Sequence, residues 1–248
     1  MQKKYSVLIP AAGRGSRSGL SFPKCLYRIE GAPILIRIIQ SLYQYDPSPV
    51  IIINEKDKQI FDEVFAEFSI QPRFVFQNVP TGMGDAVLKA DKIIGDDETV
   101  LLIWSDIPYL HPDTIRNVIN CHEFHQNDFS LVTSPCTDCY TVLKRQDGKV
   151  VSLVETRESG NSTGEKGERD IGFFVFRKKP VFDMLKVNTP EAFGKTTGEH
   201  GFLYLIKLLA TAGYNLEGYP IATPDDLLSF NSPEDLDKII KSRDATRI

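Results

Sequence analysis

Three short runs of this chain are apolar with almost no alternation: Tyr5–Ile9, broken only by Ser6, then Val50–Ile53 and Val100–Trp104. A strand covered on one face alternates apolar and polar residues. A run apolar at successive positions is buried on both faces, as happens when helices cover a parallel sheet from both sides. The segments between these runs carry helical spacing. Pro33 opens a helix whose Ile34, Leu35, Ile38, Ile39 and Leu42 form one stripe, a helix over about 56 to 67 leads to a strand at Arg73–Phe76, and a helix after Gly84 sets Val87, Ala90 and Ile94 on one face. Pro112 starts another, with Ile115, Val118, Ile119 and His122 on one side, before a strand at Phe129–Thr133. This alternation predicts an α/β fold: a Rossmann-like mixed, mainly parallel sheet flanked by helices.

Beyond about residue 135 strands follow strands. Tyr140–Leu143 and Lys149–Val154 read as a hairpin around Gln146-Asp147-Gly148, and Ile171–Phe176 as a further strand. Gly160 to Gly167 is glycine, polar and charged residues only, and reads as a surface loop or a lid over a substrate. Helices over about 180–187 and 199–212, a strand over 216–221 and a last helix begun by Ser232-Pro233, with Asp235 completing a capping box, close the chain. At 248 residues and 42% hydrophobic content, with no linker-like stretch, the whole chain 1–248 is expected to be one domain.

A net charge of −4 provides no basic field for nucleic acid, so any polyanion must bind locally. No signal-like h-region and no run of about 18 apolar residues occurs, so a cytoplasmic protein without a membrane partner is expected. The four cysteines, at 25, 121, 136 and 139, are too irregular for a disulfide framework and are expected to be reduced. Cys136-Thr-Asp-Cys139 has no second CxxC partner, and Cys121, His122 and His125 read as one turn of a surface-to-core helix.

The stretch Leu8–Lys24, LIPAAGRGSRSGLSFPK, concentrates the chemistry. Ala11, Ala12, Gly13 and Gly15 remove side chains that would hold a phosphate away from backbone N–H groups, while Arg14, Arg17 and Lys24 supply charge for a triphosphate. A Walker A loop would need Lys-Ser/Thr where Ser16-Arg17 stands, and a dinucleotide fingerprint would need glycine where Ser18 stands. On its glycines alone the segment fits an ordinary strand-to-helix turn equally well. Arg17 and Pro23-Lys24 favour the triphosphate cradle.

Asp106 lies just past the carboxyl end of an apolar strand, the edge where open parallel sheets bind ligands. Its carboxylate suits the Mg2+ that accompanies nucleoside triphosphates, or it caps the following turn. Gln77 precedes a second small-residue turn, Pro80-Thr-Gly-Met-Gly84. Its amide and the backbone at Gly82 can match a base edge such as uracil, although a plain loop glutamine has the same spacing.

With those residues in place, the segment AAGRGSRSGLSFPKCLYRIEGAPIL resembles the signature of the sugar-1-phosphate nucleotidyltransferases, most closely the uridylyltransferase domain of the bacterial bifunctional N-acetylglucosamine-1-phosphate enzymes. The spacing from Arg17 to Lys24, Gln77 with Gly82-Met-Gly84, Trp104-Ser105-Asp106 for the family's Tyr-Gly-Asp, Lys149–Glu155, Gly198-Glu199 and Phe230-Asn231 follow in the family's order. The resemblance implies attack of a hexosamine-like sugar 1-phosphate on the α-phosphorus of a nucleoside triphosphate, with UTP the expected donor, giving a nucleotide sugar and pyrophosphate. It implies Arg17, Lys24 and Asp106 as catalytic, Ala11, Ala12, Gly13, Gly15, Gln77, Gly82 and Ser105 around the nucleotide, Cys139, Glu155 and Asp170 around the sugar, and Asp106 with Asn231 holding Mg2+. The nucleotide-binding half would then run over about 1–135 and the sugar-binding half over about 136–248.

Three departures bear on substrates rather than on phosphate chemistry. Met83 replaces the threonine of the family's Gly-Thr-Gly, Asp170-Ile171-Gly172 replaces Asn-Thr-Gly, and Cys139 stands where the family has glycine beside the acetamido group. A carboxylate at Asp170 would suit a free amine or an extra hydroxyl. The alternatives are a CTP-, GTP- or dTTP-using enzyme with another phosphorylated acceptor, and a non-catalytic regulatory module that binds nucleotide sugars. Hexapeptide repeats are absent through Ile248, so no acetyltransferase half is expected, and oligomeric state stays open.

Overall fold

The computed structural model describes residues 4–13, 19–155 and 166–246. Chain order is β1 (Tyr5–Pro10), the two-residue strands β2 (Arg28–Ile29) and β3 (Ala32–Pro33), α1 (Ile34–Leu42), β4 (Val50–Ile53), α2 (Lys58–Glu67), β5 (Arg73–Phe76), α3 (Met83–Lys89), β6 (Thr99–Ile103), α4 (Pro112–Phe124), β7 (Phe129–Cys136), β8 (Thr141–Gln146), β9 (Lys149–Glu155), β10 (Gly167–Arg177), α5 (Lys178–Leu185), α6 (Leu205–Thr211), β11 (Leu216–Tyr219) and α7 (Pro233–Thr246). Seven strands form one sheet in the order β11-β7-β10-β6-β1-β4-β5. Only β10 runs against the others: it is antiparallel to β6 and β7, while β1 pairs in parallel with β4 and β6, β4 with β5 and β7 with β11. The mainly parallel α/β expectation therefore holds.

Period-2 alternation divides each central strand between two cores. Val7, Ile9, Ile51, Ile53, Leu101 and Ile103 face the layer of α1, α2 and α4, whereas Leu8, Val50, Ile52, Val100 and Leu102 face α3, α5 and α6. All these side chains are fully buried, each contributing about 1.5–3 kcal/mol relative to exposure. Burial on both faces is why the runs lack polar residues. Strands β8 and β9 form the expected hairpin; Asp147 (φ 50°) and Gly148 (φ 79°) make a left-handed two-residue turn that matches strand twist.

Two expectations change. The helix expected from 199 begins only at Leu205, because the backbone of residues 200–201 pairs with other segments: His200 N–H donates to Thr81 O (2.8 Å), Gly84 N–H to His200 O (2.9 Å) and Gly201 N–H to Ala192 O (2.8 Å). The four cysteines are not all free thiols, since Cys136 and Cys139 form a disulfide across a turn with Cα atoms 5.6 Å apart; Cys25 and Cys121 are free. His122 is the expected core-facing helix residue, its Nδ1 2.9 Å from Ser130 Oγ. No helix among the described residues is long and apolar enough to cross a membrane.

Candidate active site

The carboxyl ends of β1, β5 and β6 open into one cleft of about 1440 Å³, closed opposite by β9, β10 and the segment 190–204. Ala11, Ala12, Gly13, Gln77, Gly82, Ser105, Asp106, Glu155, Asp170, Lys24 and Asn231 all line it, so residues far apart in sequence meet as expected. Gly15 and Arg17 lie outside the described residues, as does the 160–165 part of the expected lid.

Small residues at the end of β1 bring backbone to the cleft. The Ala11 N–H donates to Ile52 O (2.7 Å), so what this residue leaves at the cleft is its short side chain. On the neighbouring wall Gly82 has φ +118°, and a Cβ there would come within 2.2 Å of His200 O. A Cβ on Gly84 would lie 2.0 Å from Gly201 O. Both glycines let the 80–84 turn pack directly on the 200–201 backbone. Gln77 is buried and donates its amide to Gly82 O (3.1 Å) and Asp85 Oδ2 (3.0 Å). With its NH2 thus engaged, the group it can still turn to a base is its carbonyl oxygen, an acceptor. Burial raises the Asp85 pKa, but hydrogen bonds from Thr81 and Gln77 bring it below the ordinary carboxylate range overall.

At the centre, Lys24 Nζ donates to Asp106 Oδ2 (2.7 Å) and to Asn231 Oδ1 (2.8 Å). Lys24 starts a single 3-10 turn, Lys24–Leu26, anchored by buried Cys25 and Leu26. Asp106 and Asn231 are joined through their loops, because Phe230 N–H donates to Asp106 O (2.8 Å). Asn231 Nδ2 donates to Ser229 Oγ (3.2 Å), which turns Oδ1 toward Lys24. The expected Asp235 cap is present, its Oδ2 accepting from the Asn231 and Ser232 N–H groups at 3.0 Å each. Two hard oxygens converging on one cationic atom form a donor set that fits Mg2+, which is held by one or two carboxyl or amide oxygens plus phosphate and water. Among the described residues no group of three or more His, Cys, Asp and Glu is placed to hold a metal ion.

The far wall is shaped by β10. Gly172 has φ +82°, and a Cβ there would fall 2.3 Å from Trp104 Cδ1; Trp104 N–H in turn donates to Gly172 O (2.9 Å). The register of β10 against β7 shifts between Asp170 and Phe174, which gives the strand its bend here. Asp170 turns its carboxyl into the wall, accepting from Thr141 Oγ1 and from Gly172 N–H (3.0 Å), and burial raises its pKa despite these bonds. Cys139 is 2% exposed, is paired with Cys136 and does not line the cleft; Tyr140 and Thr141 take that position. Sequence reasoning also missed Arg169, Trp104, Phe193 and His200 as lining residues. The run Gly194-Lys-Thr-Thr-Gly-Glu-His-Gly201 was the available signal for the last two, too glycine-rich to open a helix. His200 Nε2 lies 3.1 Å from Tyr204 OH, its ring packs on Phe193, and burial lowers its pKa.

Comparison with known proteins gives this site a family. A MobA-like NTP transferase domain matches residues 7–167. The chain is 25% identical over 232 residues to the bifunctional protein GlmU of Streptococcus mutans, covering 92% of this chain and 49% of that protein. It is 31% identical over 184 residues to GlmU of Buchnera aphidicola, covering 73% and 39%. The chain thus spans about half the length of the curated relatives it matches or less. A UDP-glucose pyrophosphorylase complexed with UDP-glucose has the same fold (TM-score 0.75, 17% identity, 99% of this chain and 100% of that one). So does the inositol-1-phosphate CTP transferase of T. maritima (TM-score 0.68, 15% identity, 98% and 95%). By the domain match over well over half its length, the chain belongs to the MobA-like NTP transferase family, a family of nucleotide-transferring enzymes.

Proposed function

We propose that the protein transfers a nucleotidyl group from UTP to a hexosamine-like sugar 1-phosphate, with Mg2+, giving a nucleotide sugar and pyrophosphate. The observation that carries this reading is the convergence of Lys24, Asp106 and Asn231 at the mouth of the β1 turn, on the same cleft as Gln77 and Glu155. Asp106 and Asn231 would hold the metal, which when bound supplies positive charge shared between the two phosphates. Lys24, with Arg17 of the β1 loop, would neutralise the triphosphate and the charge that develops as pyrophosphate leaves, where most of the rate enhancement in nucleotidyl transfer arises.

Gly13, Gly15, Ala12 and Ala11 would admit the phosphates to the backbone, and Ser105 would line the nucleotide side. Gln77 would accept from a base N–H, as uracil N3–H offers, with Gly82 beneath it. Glu155 would accept hydrogen bonds from acceptor hydroxyls, and Asp170 with Tyr140 and Thr141 would set the shape of the acceptor wall. With its carboxyl held by Thr141 and Gly172, Asp170 offers no amide donor to an N-acetyl carbonyl, which favours a hydroxyl- or amine-bearing acceptor over an N-acetyl one. The reaction needs no covalent intermediate: holding the two phosphates in line supplies the proximity term.

A grid of UTP, CTP, GTP and dTTP against glucosamine, N-acetylglucosamine and glucose 1-phosphates and inositol 1-phosphate, with Mg2+ and scored by pyrophosphate release, tests the proposal. The expected maximum is UTP with a hexosamine 1-phosphate. A maximum elsewhere reassigns donor or acceptor, and no release on any square contradicts catalysis and favours a nucleotide-sugar-binding module.

A further inference from the structure

Lys24 occupies the point toward which both proposed metal ligands are aimed. Its Nζ is 2.7 Å from Asp106 Oδ2 and 2.8 Å from Asn231 Oδ1. Both oxygens are taken by the ammonium, so a Mg2+ held by the same pair would have to replace it, and ion pair and metal exclude one another. The ligands themselves are fixed from behind: Phe230 N–H holds the Asp106 carbonyl, Ser229 Oγ orients the Asn231 amide, and Asp235 anchors the Asn231 backbone. Lys24, by contrast, reaches the seat on a flexible four-carbon stem, its side chain 21% exposed to the cleft.

We infer that Lys24 is an internal counter-ion: it keeps Asp106 and Asn231 gathered in the free protein and yields their oxygens to the divalent cation when a triphosphate offers the ammonium a new anionic partner. The inference rests on the metal role proposed for Asp106 and Asn231. It has a thermodynamic consequence. A divalent cation arriving alone must expel an ammonium from two oxygens, whereas one arriving with a triphosphate displaces it onto phosphate. Metal and nucleotide therefore bind with positive coupling carried by one side chain, and coupling of this kind is reciprocal.

The test uses the intact protein and Mn2+ without nucleotide, with free Mn2+ followed by its electron paramagnetic resonance signal. Lys24→Gln and Lys24→Met should each bind Mn2+ on the order of tenfold more tightly than wild type, because a unit charge within contact distance is removed. Lys24→Arg should retain the weak wild-type affinity. Adding Asp106→Asn to Lys24→Gln should erase the gain. Wild-type affinity in both neutral variants, or a gain that survives Asp106→Asn, overturns the inference. A second arm separates it from the metal reading, using proton relaxation enhancement with Mn2+ and UTP. Loss of the protein-bound Mn2+ signal in Asp106→Asn with no effect of Lys24→Gln in the first arm sinks only the counter-ion role. No effect of Asp106→Asn in either arm removes the metal role and the inference together. Thermal melts matching wild type confirm that each variant is folded.

Discussion

His200 O lies so close beneath Gly82 that a Cβ on residue 82 would come within 2.2 Å of it. The contact fastens the Pro80–Gly84 turn to the segment closing the cleft, and Gly84 N–H completes it with a 2.9 Å bond to the same carbonyl. Gly82→Ala adds this collision to the strain of φ +118°, which alone costs about 1–3 kcal/mol. Its melting temperature should fall by several degrees, and nucleotide affinity, measured by calorimetry, should fall with it. Gly31→Ala, also at positive φ but with nothing within 4 Å of its Cβ, should leave nucleotide affinity unchanged.

Gln77 donates its amide to Gly82 O and Asp85 Oδ2, which leaves its carbonyl as the group proposed to meet the base. Gln77→Leu should weaken nucleotide binding by roughly tenfold, the worth of about one hydrogen bond with its stranded partners. It should also flatten discrimination among bases, read as the ratio of kcat/KM for UTP and CTP.

Asp170 predicts a pH signature. Burial raises its folded-state pKa above the ordinary value of 3.8. The unfolded chain then loses this proton more readily than the folded one, so the group removes stability as pH rises from its ordinary value through its raised folded value. Asp170→Asn keeps an acceptor for Gly172 N–H and gives Thr141 a donor in place of an acceptor. Its melting temperature should exceed wild type at pH 7, with the difference shrinking toward pH 4. It should also shift acceptor preference toward N-acetylglucosamine 1-phosphate. A difference that grows on acidification contradicts the assignment.

Phe174 links the site to the core. It is fully buried and its ring contacts Trp104 (5.1 Å between centroids), Phe129 (5.8 Å) and Phe202 (5.4 Å). Phe174→Ala should cost about 3–5 kcal/mol in chemical denaturation, as large aromatic truncations do. KM for the proposed acceptor should rise as well, since Trp104 lines the cleft.

The fold was legible where side-chain pattern determines structure. Val50–Ile53 and Val100–Ile103 are apolar at every position because helices cover both faces, and that reads directly from the chain. Asp106 and Gln77 could be placed because parallel strands bring their carboxyl ends to one edge. The wall opposite was not legible. A helix is expected over 199–212, yet the N–H and C=O groups of residues 200–201 are taken by Thr81, Gly84 and Ala192, partners outside that segment. Cys139 shows the same limit: the family resemblance put it at the acceptor, yet its burial and its bond to Cys136 keep it off the cleft, which Tyr140 and Thr141 line. The inward turn of the Asp170 carboxyl depends on the Thr141 hydroxyl of a different strand.

Asp106, bonded to Lys24 beside Asn231, is the residue proposed to organise nucleotidyl transfer. The most direct measurement follows wild type and Asp106→Ala by 31P NMR with Mg2+, UTP and glucosamine 1-phosphate. Wild type should convert both substrates into nucleotide sugar and pyrophosphate in equal amounts, while the folded variant should be slower by about three orders of magnitude or more, as when a principal charge-stabilising group is lost. Equal rates in the two proteins would contradict the account.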